Sequence, residues 1–100
     1  MNNNFKNYIS KEIPVLVYFF SEQKKSHEII QSILLYVKKL AGSSVLILKI
    51  DIEKNPVYLE NYLIFSTPTL MIFKNGKSIW RKSGEITANE ILQYLLLYAV

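Results

Sequence analysis

The pattern of apolar and polar positions divides the chain into eight segments. Phe5, Tyr8 and Ile9 recur at helical spacing, which predicts a short helix over 5–11. Pro14 ends it, because proline pushes the residue before it out of the helical region. Val15 to Phe20, V-L-V-Y-F-F, is an unbroken apolar run of strand length with no polar alternation, the signature of a strand covered on both faces. From Ser21 the period changes. Ile29, Ile30, Ile33, Leu34, Tyr36, Val37, Leu40 and Ala41 recur at three and four, predicting a long helix that stops at Gly42 with Lys38 and Lys39 in its last turn. Val45 to Ile52 reads as a second strand. Asn55-Pro56 opens a short helix to Tyr62. Thr69–Phe73 and Ser78–Ser83 flank Asn75-Gly76, a strong hairpin signal since both turn residues accept positive φ. Thr87-Ala88-Asn89-Glu90 is a capping box that starts a last helix running to Leu97.

Strands one and two are joined by a helix, so they run parallel with a right-handed crossover. The last two form an antiparallel hairpin. The expected architecture is α/β: one domain over 1–100, a mixed four-stranded sheet with helices on both faces, and residues 1–4 frayed. One hundred residues, half of them apolar, suffice for one core.

The formal charge of +4 adds little to this picture. The twelve basic residues are spread along the chain among eight acids, and only Arg81 is an arginine. Phosphate-reading surfaces concentrate charge on one face and favour arginine, so no nucleic-acid partner is expected. No membrane partner is expected either: the first apolar run is six residues, short of a signal or spanning segment. A cytoplasmic location is the default. The absence of cysteine excludes disulfides, thiolate metal sites and thiol catalysis within these residues. No metal ligands or cofactor are expected.

V-L-V-Y-F-F-S-E before a long helix, K-I-D-I-E-K-N-P, S-T-P-T-L-M-I-F-K-N-G-K and Gly84 together resemble the thioredoxin family over about residues 5–97. The resemblance implies a cis peptide bond at Thr67-Pro68 and a peptide-binding loop at Ser66, Thr67 and Pro68. It also implies that the family's first strand, which pairs beside the strand at 45–52, is missing, leaving that strand as an apolar open edge. The family's Trp-Cys-Gly-Pro-Cys falls on Gln23, Lys24, Lys25, Ser26 and His27, so both cysteines are replaced. Its buried aspartate falls on Tyr18 and its helix-kinking proline on Ser32. Thiol-disulfide exchange requires an attacking thiolate and a resolving thiol, and neither exists in this chain.

Two functional readings follow. In the first, the chain is a redox-inactive, chaperone-like or protein-binding module that engages a protein or peptide through the Ser66–Pro68 face, the open edge or the apolar C-terminal helix. A second copy of itself is one candidate partner, as a homodimer. In the second, Lys24, Lys25 and His27 at a helix N-terminus hold an anionic or glutathione-like ligand. His27 is the only histidine, with no nucleophile or carboxylate evident beside it, so no catalytic residue is assigned. Ser21 or Ser26 is the expected helix cap. A purely structural descendant of a thioredoxin is the third reading.

Overall fold

A computed structural model describes residues 4–98. Residues 1–3, where fraying was expected, lie outside the described residues, as do Ala99 and Val100 at the end of the apolar tail; Asn4 already belongs to a helix. The order is α1 (Asn4–Ile9), β1 (Val15–Phe20), α2 (Ser26–Ala41), β2 (Leu46–Asp51), α3 (Val57–Asn61), β3 (Thr69–Lys74), β4 (Lys77–Ser83) and α4 (Ala88–Tyr98). A short 3-10 turn at Gly42–Ser44 leads into β2.

The sheet order is β2-β1-β3-β4. β1 runs parallel to β2 with Val15 beside Leu46, and antiparallel to β3 with Phe19 beside Thr69. β3 and β4 form the hairpin, with a register shift at Ile72/Phe73. Asn75 and Gly76 both take positive φ in the turn, 54° and 82°. Val15, Leu16, Val17, Tyr18 and Phe19 are all buried, which accounts for the unbroken apolar run.

Each face of the sheet carries its own core. On one face Leu16, Tyr18, Leu70 and Ile72 pack against Ile30, Leu34 and Val37 of α2 and Ile91 and Leu95 of α4. Only these helix positions are fully inside. Ile29, Tyr36 and Leu40, which share the predicted helical periodicity, point outward, because the buried stripe of α2 is one residue wide at each turn. On the other face Val15, Val17, Phe19, Met71 and Phe73 pack against Phe5 and Ile9 of α1 and Tyr58 of α3. A six-residue helix is too short to persist alone. α1 is held by Phe5, whose ring meets Tyr58 edge-on at 5.0 Å and Phe73 at 6.1 Å. Such aromatic pairs contribute about 0.5–1.5 kcal/mol each beyond area burial.

α2 ends as the sequence predicts. Gly42, at φ 57°, donates its N–H to the Lys38 carbonyl, and Lys38 Nζ donates to the Gly42 and Val45 carbonyls at 2.8 Å. α4 begins with the expected reciprocal cap: Glu90 N–H donates to Thr87 Oγ1 at 3.2 Å and Thr87 N–H to Glu90 Oε2 at 2.9 Å.

Candidate functional site

Three chain segments converge at the end of the sheet where β1 stops and β3 starts. The pairing of Phe19 with Thr69 puts Ser21–His27, which follow β1, on the same edge as Ser66–Pro68, which precede β3. β4 ends there too, since the Gly84 N–H donates to the Pro68 carbonyl at 3.0 Å.

Residues 21–27 form two tight turns, with Lys24 N–H bound to the Ser21 carbonyl and His27 N–H to the Lys24 carbonyl, each at 3.1 Å. Gln23, Lys24 and Lys25 are exposed, and Ser26 and His27 are half-buried. Neither expected serine caps α2. Ser26 is already its first helical residue, and Lys25 at the cap position makes no side-chain bond. Ser21 instead donates to Glu53 Oε1 at 3.0 Å, which ties the end of β1 to the segment after β2. The same hydroxyl oxygen accepts from the Gln23 N–H at 3.4 Å, within the first turn.

His27 is the member of this set that the fold engages. Its ring stacks on Phe20 with centroids 4.6 Å apart and planes inclined by 15°, and its Nδ1 lies 2.9 Å from the Tyr18 hydroxyl. Tyr18 is 1 % exposed, and burial pushes its phenol up to about 12. It is therefore a neutral hydroxyl over the physiological range, able to donate to an unprotonated Nδ1. In that arrangement the ring proton sits on Nε2. The position implied to hold a buried acid thus holds a phenol, and the position implied for the second cysteine holds an imidazole bonded to it.

Lys24 and Lys25 share a shallow depression with Glu22, Glu28 and Gln31, so the charge there is mixed. No group of three or more metal-ligating side chains occurs among the described residues. Glu22 and Glu28 are both exposed and are not brought together as an acid and base pair by any hydrogen bond among the described residues. Ser32, at the position implied for proline, bonds its hydroxyl back to the Glu28 carbonyl at 3.2 Å.

The opposite wall is the loop before β3. The Thr67-Pro68 bond is cis. Thr69, fully buried, donates its hydroxyl to the Ser66 carbonyl at 2.7 Å and lies 2.6 Å from Ser83 Oγ, which donates to it. The loop is pinned on its other side by Arg81, whose Nη1 and Nη2 donate to the Tyr62 and Leu63 carbonyls at 2.9 Å each. Leu63 between them takes φ 54°, a conformation that suits glycine. Phe65 projects from the loop with 88 % of its surface exposed, while its neighbours Ile64 and Pro68 are buried. The Thr67 N–H and C=O have no protein partner among the described residues.

Sequence reasoning pointed to the 23–27 and 66–68 segments and to Tyr18 as the place implied for the buried aspartate, but missed three residues that shape the site. Phe20 looks like an ordinary strand residue, Phe65 like a core residue, and Arg81 like one more surface cation. Of these three only Arg81 left a signal, as the sole arginine of the chain.

Residues 1–96 match the thioredoxin family model. The rice chloroplastic protein thioredoxin Y is 36 % identical over 84 residues, and the match covers 84 % of this chain and 50 % of that one, so the chain spans half the length of that relative. The thioredoxin of Rickettsia bellii is 32 % identical over 87 residues, covering 87 % of this chain and 83 % of that protein. Among solved structures, one of a malarial protein superposes with TM-score 0.81 at 22 % identity, covering 88 % of this chain and 99 % of the other. A chain from work on thiol resolution in yeast mitochondrial 1-Cys peroxiredoxin by the glutathione and thioredoxin systems gives TM-score 0.85 at 17 % identity, covering 96 % and 89 %. With its thioredoxin fold, and with the family model matched over residues 1–96, the chain belongs to the thioredoxin family.

Proposed function

We propose that the protein is a redox-inactive, cytoplasmic thioredoxin-like binding module that holds an extended segment of a partner protein against the loop Ser66–Pro68. The observation that carries this reading is Phe65, a large apolar side chain held almost wholly in solvent beside a backbone pair, at Thr67, with no intramolecular partner among the described residues. An extended peptide bonds through its own backbone to such a pair, and an exposed aromatic ring supplies the apolar contact that binding surfaces favour. Gln23 to His27 form the polar rim opposite. Neither the peptide bond to Thr67 nor the contact with Phe65 depends on a thiol. The mixed charge around Lys24 and Lys25 does not favour an anionic ligand over a peptide.

The test is affinity capture from native extract with the wild type, Phe65→Ser and Lys24→Ala/Lys25→Ala. Retention of a specific protein by the wild type and the lysine variant, with loss in Phe65→Ser, supports the reading. Equal capture by the wild type and Phe65→Ser, or no specific capture by the wild type, overturns it. Loss with the lysine variant alone points to an anionic ligand and equally overturns peptide binding at Phe65.

A further inference from the structure

The outer side of β2 carries backbone groups in a pattern that fits a second copy of the same strand. Leu46 N–H donates to the Pro14 carbonyl at 3.1 Å and Ile52 N–H to the Phe20 carbonyl at 3.0 Å. In a parallel ladder a residue directs its N–H and C=O to one neighbouring strand and the next residue directs both to the other side. Leu46, Leu48, Ile50 and Ile52 therefore turn their backbone groups to β1, and Ile47, Lys49 and Asp51 turn theirs outward. At the two ends the outward carbonyls are already used. Asp51 accepts from Asn55 N–H and Nδ2, both at 3.0 Å, and Val45 accepts from Lys38 Nζ at 2.8 Å. Ile47 and Lys49 retain an unused N–H and C=O each among the described residues.

The segment after α1 does not cover this edge. The Ile9 and Lys11 carbonyls are bound by Gly76 and Asn75, which places the segment after α1 at the β3–β4 turn, on the far side of β1 from β2.

We propose that β2 pairs antiparallel with β2 of a second copy across a two-fold axis at Leu48, with Ile47 opposite the partner's Lys49 and Lys49 opposite the partner's Ile47. Four hydrogen bonds form, and every one uses a group left unused within the chain. Neighbouring registers lack this property. Centring on Lys49 sets two ammonium groups opposite one another, which is unfavourable. Centring on Ile50 pairs Lys49 with Asp51, whose carbonyl is occupied, and centring on Ile47 pairs Lys49 with Val45, whose carbonyl is also occupied. In the proposed register Leu48 meets Leu48 and Leu46 meets Ile50 on one face, all only partly buried in the single chain. On the other face the stem of Lys49 lies along Ile47. Leu35 of α2, 70 % exposed, borders the groove beside Leu46 and Ile47 on this edge.

The chain has no cysteine, so one introduced cysteine can form a disulfide only between copies. Leu48 on the axis would form a non-hydrogen-bonded pair with Cα atoms about 4.5 Å apart, within disulfide reach. The expected results are sedimentation of the wild type at twice 11.7 kDa at high concentration and oxidative dimerisation of Leu48→Cys but not of Lys49→Cys or Ile50→Cys. Ile47→Pro removes an outward N–H that serves no internal bond, and is expected to raise the dimer dissociation constant by about tenfold or more. In case proline disturbs the strand, amide exchange of the wild type gives a second readout: Ile47 and Lys49 should gain protection as concentration rises. A wild type that stays monomeric at every attainable concentration, a dimer that crosslinks through position 49 or 50 in preference to 48, or a dimer with unchanged exchange at Ile47 and Lys49 overturns the proposal.

Discussion

The Tyr18 hydroxyl lies 2.9 Å from His27 Nδ1, joining the centre of β1 to the first turn of α2 through one partly buried hydrogen bond. Tyr18→Phe keeps the packing and removes only this bond. It is expected to lower stability by about 1 kcal/mol, since the half-buried imidazole can turn to water. Chemical denaturation of the two proteins checks the value. No change would mean that the stack of His27 on Phe20, rather than the bond, positions the ring.

The same phenol sets an alkaline limit. Burial raises Tyr18 from 10.0 to about 12 in the folded chain, and also raises Tyr58 and Tyr62, the latter helped by the neighbouring Tyr58 charge. A raised folded value means that the native state holds its proton longer than the unfolded chain. Stability is therefore complete below pH 10 and declines as pH rises from 10 to about 12, with Tyr18 accounting for about 2–3 kcal/mol of the loss. Denaturation across that window, compared with Tyr18→Phe, tests the assignment: the variant should show a shallower decline.

On the acid side the Thr87 and Glu90 cap matters. The Lys82 ammonium, together with the Thr87 backbone and hydroxyl, holds the Glu90 carboxyl below its usual range. A lowered folded value contributes stability that is present above the ordinary carboxylate range and lost as pH falls through the folded value. Thr87→Ala is expected to destabilise α4 by about 1 kcal/mol at neutral pH. Melting curves at neutral and acid pH should show the Thr87→Ala deficit shrinking once Glu90 is protonated.

Leu63 holds φ 54° with its side chain 58 % exposed, so it sustains left-handed backbone with little packing in return. Leu63→Gly is expected to stabilise the fold by roughly 0.5–1 kcal/mol, because left-handed backbone costs a non-glycine residue about 1–2 kcal/mol and glycine's extra chain entropy offsets part of that gain. Leu63→Val should act in the opposite direction. A lower melting temperature for the glycine variant would show that the leucine side chain contributes more than its exposure suggests.

Reintroducing the family's thiols tests the redox assignment. Neither the wild type nor Lys24→Cys or His27→Cys alone should turn over insulin disulfides, for want of a second thiol. Lys24→Cys/His27→Cys places two thiols at the start of α2, where the helix dipole favours a thiolate, and should acquire measurable reductase activity. Turnover by the pure wild type would overturn the argument from cysteine absence.

The sequence by itself determined the order of elements, because the apolar periods change sharply at Ser21 and Asn55 and the stops are explicit at Pro14, Gly42, Asn75-Gly76 and Thr87. It also determined that no thiol chemistry occurs within these residues, since that needs only the absence of one residue type. Tertiary structure alone decided which apolar residues of α2 face the sheet, because a periodic run such as Ile29 to Ala41 is wide enough to fit more than one rotation of the helix. It alone showed Phe65 outside the core and Arg81 across the Tyr62 and Leu63 carbonyls, contacts between elements that spacing along the chain does not encode. His27 shows the same division. Its place at the helix start can be read from the chain, but its bond to Tyr18 and its stack on Phe20 exist only because α2 folds back over β1.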